Sequence, residues 1–175
     1  MNSNFPIVYI SLLLVILVFA SVAVFRQVLK TRRTEMTLER LQNKVTKEKG
    51  TAQEYYELGS IFLDKKVFAQ AVTLFQKALK ADDLPETETS LIHNALGFAY
   101  FAQDQYDLAI RQYKEALKAD PTYVTALNNL GHAYERKQLI APGLEAYEQA
   151  LAIDPKNETA KRRAESLRKR LVPSS

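Results

Sequence analysis

A pattern that recurs three times along residues 51–155 constrains the fold more than any other feature of the sequence. Each unit is centred on a Leu-Gly pair, at Gly59, Gly97 and Gly131, so the glycines are 38 and 34 residues apart. At fixed distances after each glycine come a small residue, an aromatic residue and an alanine: Ala71, Phe75 and Ala78, then Ala109, Tyr113 and Ala116, then Gly143, Tyr147 and Ala150. A period of this length is typical of a solenoid built from one repeated motif.

Within each unit the bulky residues recur every three or four positions, which predicts amphipathic helices. The inward-facing sets are Tyr55, Leu58 and Phe62, then Leu96 and Tyr100, then Leu127, Leu130 and Tyr134. The matched small residues would let paired helices approach closely. Asp120-Pro121 and Asp154-Pro155 close two units, and we expect each aspartate to cap the helix that follows. A helical bundle with coincidental spacing is the alternative.

These motifs resemble the tetratricopeptide repeat, a 34-residue pair of antiparallel helices. The resemblance implies an all-α solenoid with repeats at 51–85, 86–123 and 124–155. The four extra residues between the first two repeats fall in 81–90, where we expect a longer surface loop. Residues 156–175 are expected to form a basic capping helix and tail, with Ala160, Ala164, Leu167 and Leu171 on its packed face.

The segment 5–25 contains no charged residue and predicts a transmembrane anchor. Fourteen of the nineteen residues from Ile7 to Phe25 are Leu, Ile, Val or Phe. As a helix they would extend about 28 Å, close to the ~30 Å hydrocarbon core of a bilayer. A cleaved signal peptide is the alternative, because Ser21 and Ala23 imitate a cleavage site. The positive charges follow the apolar run rather than precede it, which favours an uncleaved anchor with the repeats on the cytosolic or equivalent side.

Residues 26–50 form a basic juxtamembrane stalk with eight Lys or Arg and three Glu. Leu38, Leu41 and Val45 recur at helical spacing, so the membrane helix should continue or restart there. The charges nearest the apolar run are Arg26, Lys30, Arg32 and Arg33. They either set the topology on a solvated helix or also attract anionic membrane lipid. No nucleic-acid motif accompanies the charge, so we expect no nucleic-acid partner.

If the first helix of each repeat lines an inner wall, as in tetratricopeptide proteins generally, one face of each remains for a partner. The predicted partner-binding groove consists of Tyr56, Leu63, Leu91, Asn94, Phe98, Phe101, Asn128, His132 and Glu135. Gln53, Ser60 and Thr125 lie on the same helix faces, and Arg136 lies beside them. Its middle is apolar and its last repeat polar, which suits a peptide or helix with one hydrophobic anchor. Alternatively, neighbouring repeats or the capping helix partly cover Phe98 and Phe101.

The residues offer no chemistry for catalysis. There is no cysteine, and the two histidines, His93 and His132, have no second ligand at metal-binding spacing, so we expect packing or hydrogen-bonding roles. We expect no catalytic residue, no cofactor and no metal. The groove also lacks the carboxylate clamp by which some tetratricopeptide co-chaperones hold a chaperone's C-terminus. The residues at the clamp positions are Tyr56, Ser60, Ala95, Thr125 and Asn129.

The order of parts resembles the small membrane-anchored tetratricopeptide proteins of cyanobacteria and plastids that assist photosystem I assembly. This resemblance rests on the apolar helix, the stalk RQVLKTRRTEMTLERLQNKVTKE, three repeats and a basic end. It implies a thylakoid assembly or stabilising factor with its repeats on the stromal or cytoplasmic side. Its partners would be photosystem I subunits or other assembly factors. The alternative is an organelle import receptor, which would bind presequences or chaperones.

Overall fold

The computed structural model describes residues 5–171, and this part of the chain is entirely helical outside its turns. The long first helix is α1 (Phe5–Lys47). Three hairpins follow, each of two helices, and a last helix closes the chain. They are α2 (Ala52–Asp64) and α3 (Phe68–Ala78), α4 (Glu86–Phe101) and α5 (Tyr106–Ala119), α6 (Val124–Arg136) and α7 (Ile140–Ile153), and α8 (Glu158–Leu171).

Helix α1 is continuous, so the predicted continuation of the membrane helix into the stalk is confirmed. Among the described residues it is the one helix long and apolar enough to span a membrane, starting at Tyr9. Its side chains from Tyr9 to Phe25 are exposed, as expected for groups that lipid would cover. By its contacts the chain divides into two compact units after Asn43.

In the second unit the helices pack in sequence order as a solenoid. Each hairpin is antiparallel, α3 packs on α4, α5 packs on α6, and α8 covers α7. The first helices of successive hairpins also contact one another, α2 with α4 and α4 with α6. They therefore lie on the shorter, inner side of the stack.

The repeated glycines lie against the repeated aromatic rings. A β-carbon added to Gly97 would lie 2.6 Å from Tyr113 Cε1, and one added to Gly131 would lie 2.8 Å from Tyr147 Cζ. Gly59 and Phe75 show the same relation, at 2.8 Å. The predicted close approach is confirmed, and its cause is more specific than expected. Each glycine makes room for the ring sixteen positions later, and all three rings are almost fully buried.

The small residues of the pattern are buried as predicted. Ala71, Ala78, Ala109, Ala116 and Ala150 are inaccessible to solvent. In the capping helix Ala160, Ala164 and Leu167 are equally buried and join the cluster around Leu127 and Tyr147. The prediction is wrong for Leu171, the fourth residue assigned to that face, because Leu171 lies in the last turn of α8 and is 47% exposed.

The predicted caps at the Asp-Pro pairs are also wrong. Asp120 ends α5, and its Oδ1 accepts from the backbone N–H of Thr122 at 2.9 Å, while α6 begins only at Val124. Asp154 accepts in the same way from Lys156 N–H. Each aspartate thus fixes a turn by bonding two residues ahead. The residue that caps α8 is Asn157, which accepts from Ala160 N–H at 2.9 Å.

The turns inside the three hairpins are alike. Lys66, Asp104 and Gln138 have φ of 60°, 58° and 60°, in the left-handed region. In each turn the next residue's N–H reaches the carbonyl five positions back, as Val67 to Phe62 at 2.8 Å, which is the Schellman pattern for ending a helix. The longer connection between the first two repeats is 79–85, because residues 86–90, expected in the loop, already belong to α4.

Candidate functional site

The inner face of α2, α4 and α6 carries the predicted groove. Its most exposed apolar side chains are Phe98 and Leu91 on α4, at 45% and 41%. Leu91 and Tyr56 also line a cavity of about 170 Å³, together with Gln53, Glu88 and Ile92. The Tyr56 ring lies 5.9 Å from that of Phe75, so it is half-buried against α3. The structure therefore brings Tyr56 and Leu91 together across two repeats and leaves Phe98 exposed to solvent.

Phe101 has a different environment from Phe98. Its ring centroid lies 4.8 Å from the ring of His132 and 5.3 Å from that of Tyr106. The Arg136 guanidinium lies over the Tyr106 ring at 5.0 Å. Phe101 also packs at the edge of the cluster formed by α5, α6 and α7. It therefore links the second repeat to the third, as the alternative reading of this residue required.

His132 is half-buried beneath Phe101. Burial lowers the pKa of this imidazole, and the nearby Arg163 guanidinium lowers it further, while the Glu135 carboxylate acts in the opposite direction. The other histidine, His93, bonds Gln112 Oε1 through Nδ1 at 2.9 Å. The predicted packing and hydrogen-bonding roles are confirmed for both.

Asparagines form the polar part of the inner face. Asn129 Nδ2 donates to Asn94 Oδ1 at 2.9 Å, and Asn94 Nδ2 reaches the Tyr123 hydroxyl at 3.4 Å. Asn94 is thus engaged in contacts between repeats. Asn128, one turn before His132, has its Oδ1 buried without a hydrogen-bond partner among the described residues.

Glu135 lies at the end of the predicted groove, where it holds the last repeat together. Its carboxylate accepts from the Tyr147 hydroxyl at 2.7 Å and from Arg163 of α8 at 3.4 Å. Its side chain is only 12% exposed. Burial raises the pKa of Tyr147, and this hydrogen bond adds to the rise. Leu63, near the end of α2, is half-buried.

The four basic residues that follow the apolar run do not share one face of α1. Arg26, Lys30 and Arg33 line a single shallow concavity of about 350 Å³ together with Leu29 and Thr34. Arg32 is not among its lining residues. Within the described part of the chain no cluster of three or more His, Asp or Glu side chains is arranged to hold a metal ion.

Family models match the part of the chain that contains the repeats. Residues 52–83 and 124–157 match the model described as "Tetratricopeptide repeat", and residues 97–138 match the one described as "TPR repeat". The chain belongs to the tetratricopeptide repeat family. Members of this family are protein-interaction modules.

Two curated relatives match nearly the whole chain. The "Uncharacterized protein ycf37" of Cyanophora paradoxa is 36% identical over 91% of both chains. The "Tetratricopeptide repeat domain-containing protein PYG7, chloroplastic" of Arabidopsis thaliana is 37% identical over 93% of this chain. The chain spans about half of the Arabidopsis protein, 54% of its length.

Among solved structures, the first tetratricopeptide domain of Spaghetti (RPAP3), bound to an HSP90 peptide, aligns with a TM-score of 0.64 at 21% identity. The alignment covers 69% of this chain and 92% of that one. At this identity the likeness shows the fold.

Sequence reasoning identified the inner faces of the helices but missed most of the contacts between repeats. The links from Glu135 to Arg163 and from Asn94 to Asn129 join residues 28 and 35 positions apart. The sequence signal for the link between Glu135 and Arg163 was an acidic residue in the third repeat and a basic residue in the helix that closes the array. Nothing in the sequence marked Phe101 as packed and Phe98 as open.

Proposed function

We propose that this protein is a membrane-anchored tetratricopeptide scaffold that assists the assembly or stability of photosystem I. Its repeats hold a photosystem subunit or another assembly factor by protein contacts alone. The proposal is supported by the near-complete match to a ycf37 protein and to a chloroplastic relative. It is also supported by the order of anchor, basic stalk and repeats that characterises the photosystem I assembly proteins.

Exposure of Phe98 on the inner face is the observation that carries the proposal. An aromatic side chain that is 45% exposed, two turns after Leu91 on the same face of α4, presents apolar surface that water solvates poorly. Buried aromatic anchors near the centre of an interface dominate the binding energy of many complexes. We infer that Phe98 inserts into an apolar pocket of the partner, with Tyr56 and Leu91 extending the contact.

We further propose that the protein resides in the thylakoid membrane with one span. The apolar part of α1 supplies the anchor, and the excess of Lys and Arg after Phe25 favours retention of the repeats on the cytoplasmic or stromal side. The chloroplastic relative supports the compartment. On this side the repeats would meet the membrane subunits of the photosystem as they are assembled.

The competing function, a receptor or adaptor for chaperone C-termini, lacks the charges it would need. A carboxylate clamp needs basic side chains at three positions, which Tyr56, Thr125 and Asn129 occupy in this chain. Asn129 donates instead to Asn94. These contacts leave no cation in place to bind a terminal carboxylate.

The test replaces Phe98 with alanine in the tagged full-length protein, expressed in a photosynthetic host. Loss of a central aromatic anchor should weaken partner binding about thirtyfold, so recovery of photosystem I subunits from solubilised membranes should fall to near background. Leu108→Ala is the matched control, since Leu108 is 42% exposed but lies on α5, outside the groove. Its recovery should equal that of the unaltered protein.

Phe101 is unsuitable for this test because its contacts with Tyr106 and His132 contribute to folding. Equal recovery by the Phe98→Ala and Leu108→Ala proteins would place the binding surface elsewhere. Recovery of translocase or chaperone subunits in place of photosystem subunits would reject the assembly function in favour of the receptor.

A further inference from the structure

One cluster of positive charge outside the groove lies on α1, directly after its apolar segment. Arg26 is the first charged residue after Phe25, and Lys30 and Arg33 follow it at helical spacing. All three side chains are exposed and line the same concavity, which Leu29 also lines. Positions separated by three, four and seven residues lie on one face of a helix, so the three cations share one face of α1.

The nine residues from Arg26 to Thr34 contain no carboxylate. The first acidic residue along the chain is Glu35, which follows Arg33 by two positions. Thr34, at the edge of the concavity, donates its hydroxyl to the carbonyl of Lys30 at 3.1 Å. The charge in the concavity is therefore positive throughout, and the three basic side chains are the donors available to an anion.

The position of the concavity along the membrane normal indicates the source of that anion. At 1.5 Å per residue, Lys30 lies about 8 Å and Arg33 about 12 Å beyond Phe25, the last residue of the apolar run. The headgroup layer on each side of a bilayer is roughly 5 to 8 Å thick. With the apolar run in the hydrocarbon core, Arg26 and Lys30 lie at headgroup level. The long side chain of Arg33 reaches back toward it, as such side chains do at membrane surfaces.

We propose that Arg26, Lys30 and Arg33 form a binding site for the phosphate of one anionic lipid headgroup in the leaflet facing the repeats. One Arg guanidinium can donate two parallel hydrogen bonds to the oxygens of one phosphate. The site therefore has a defined geometry, which a diffuse attraction between a basic helix and a charged surface lacks. The inference is independent of the groove and of the identity of the partner. It requires only that α1 spans the bilayer.

Arg32 provides an internal control for this proposal. It is next to Arg33, so it carries the same charge at nearly the same depth. It lies about 120° around the helix from Arg26 and outside the concavity. A diffuse attraction depends on charge and depth and would treat the two arginines alike. A discrete site distinguishes them.

The experiment uses the full chain reconstituted in phosphatidylcholine bilayers with trace spin-labelled lipid. Electron paramagnetic resonance of the motionally restricted lipid gives the association of phosphatidylglycerol relative to phosphatidylcholine. We expect the unaltered protein to prefer phosphatidylglycerol, Arg33→Gln and Lys30→Gln each to lower this preference about fivefold, and Arg32→Gln to change it less than twofold. Each variant keeps three of the four positive charges, and protease digestion of sealed vesicles checks that their orientation is the same.

The dependence on salt concentration gives a second way to distinguish a discrete phosphate site from a diffuse attraction. Screening at high ionic strength removes attraction acting over more than a few ångströms, whereas direct contacts between guanidinium and phosphate resist it. At 0.5 M salt the preference for phosphatidylglycerol should therefore still be lower in the Arg33→Gln protein than in the Arg32→Gln protein, by a factor on the order of five. Equal losses in the two variants, or no preference for phosphatidylglycerol in the unaltered protein, would overturn the proposal.

Discussion

Replacing Gly97 with alanine should destabilise the repeats, although the same change usually stabilises a helix. The added β-carbon would lie 2.6 Å from Tyr113 Cε1 and 2.7 Å from Cδ1, whereas non-bonded carbons prefer about 3.5 to 4.0 Å. The ring is 1% exposed and packs within the cluster that contains Leu130 and Ala133, so it cannot retreat freely. The overlap of about 1 Å must be absorbed by movement of α4 against α5.

The expected loss of stability in Gly97→Ala follows from two opposing contributions. Overfilling a packed core costs about 1 to 3 kcal/mol, and the severity of this overlap indicates the upper part of that range. Alanine in place of glycine inside a helix contributes about 1 kcal/mol of stability. The net loss should be about 1 to 2 kcal/mol, which lowers the melting midpoint of a unit of this size by roughly 4 to 8 °C.

Gly143→Ala is the matched control. A β-carbon at Gly143 would meet Leu167 Cδ1 at 3.3 Å and the Gly131 carbonyl oxygen at 3.4 Å, so a shift of a few tenths of an ångström accommodates it. We expect its stability to change by less than about 0.5 kcal/mol, or to rise slightly. A β-carbon at Gly131 would lie 2.8 Å from the Tyr147 ring, so the stability of the Gly131→Ala protein should lie between those of Gly97→Ala and Gly143→Ala.

The assay is urea and thermal unfolding of a fragment covering residues 44–175, followed by circular dichroism and by tyrosine fluorescence. Two probes are needed because repeat arrays can unfold in parts. Unfolding midpoints ordered Gly97→Ala lowest, then Gly131→Ala, then Gly143→Ala would support the packing described. If Gly97→Ala were as stable as Gly143→Ala, the Tyr113 ring would not fill the space beside Gly97, and the reasoning would be refuted.

Two further changes test the interior of the same fragment. Ala109→Leu adds three carbons at a position inaccessible to solvent in the cluster with Tyr113, and should cost about 1 to 3 kcal/mol in urea unfolding; an unchanged midpoint would mean that Ala109 is not packed there. The lowered pKa of His132 means that the unfolded chain binds a proton more readily, so stability should be present at neutral pH and fall as the pH drops below the unfolded value of about 6.5. His132→Gln should flatten this dependence between pH 7 and 5, and an unaltered slope would assign it to other groups.

The sequence alone determined the architecture because the repeat encodes it locally. Helical spacing fixes which face of each helix is apolar, and the recurrence of Gly59, Gly97 and Gly131 fixes how each hairpin closes. The apolar run before Arg26 marks in the same way the candidate span found within residues 5–171. These properties depend on residues within one repeat of each other, so they can be read along the chain.

The tertiary structure decided which residues of the inner face are free. Phe98 and Phe101 are three positions apart on one helix, yet Phe98 stays exposed while Phe101 packs on Tyr106 and His132. Glu135 was placed in the groove by its spacing, and its carboxylate instead joins α6 to α7 and α8. Spacing gives the direction of a side chain to within a fraction of a turn. Whether a neighbouring repeat covers that side chain depends on how successive hairpins are rotated against each other, which no single repeat encodes.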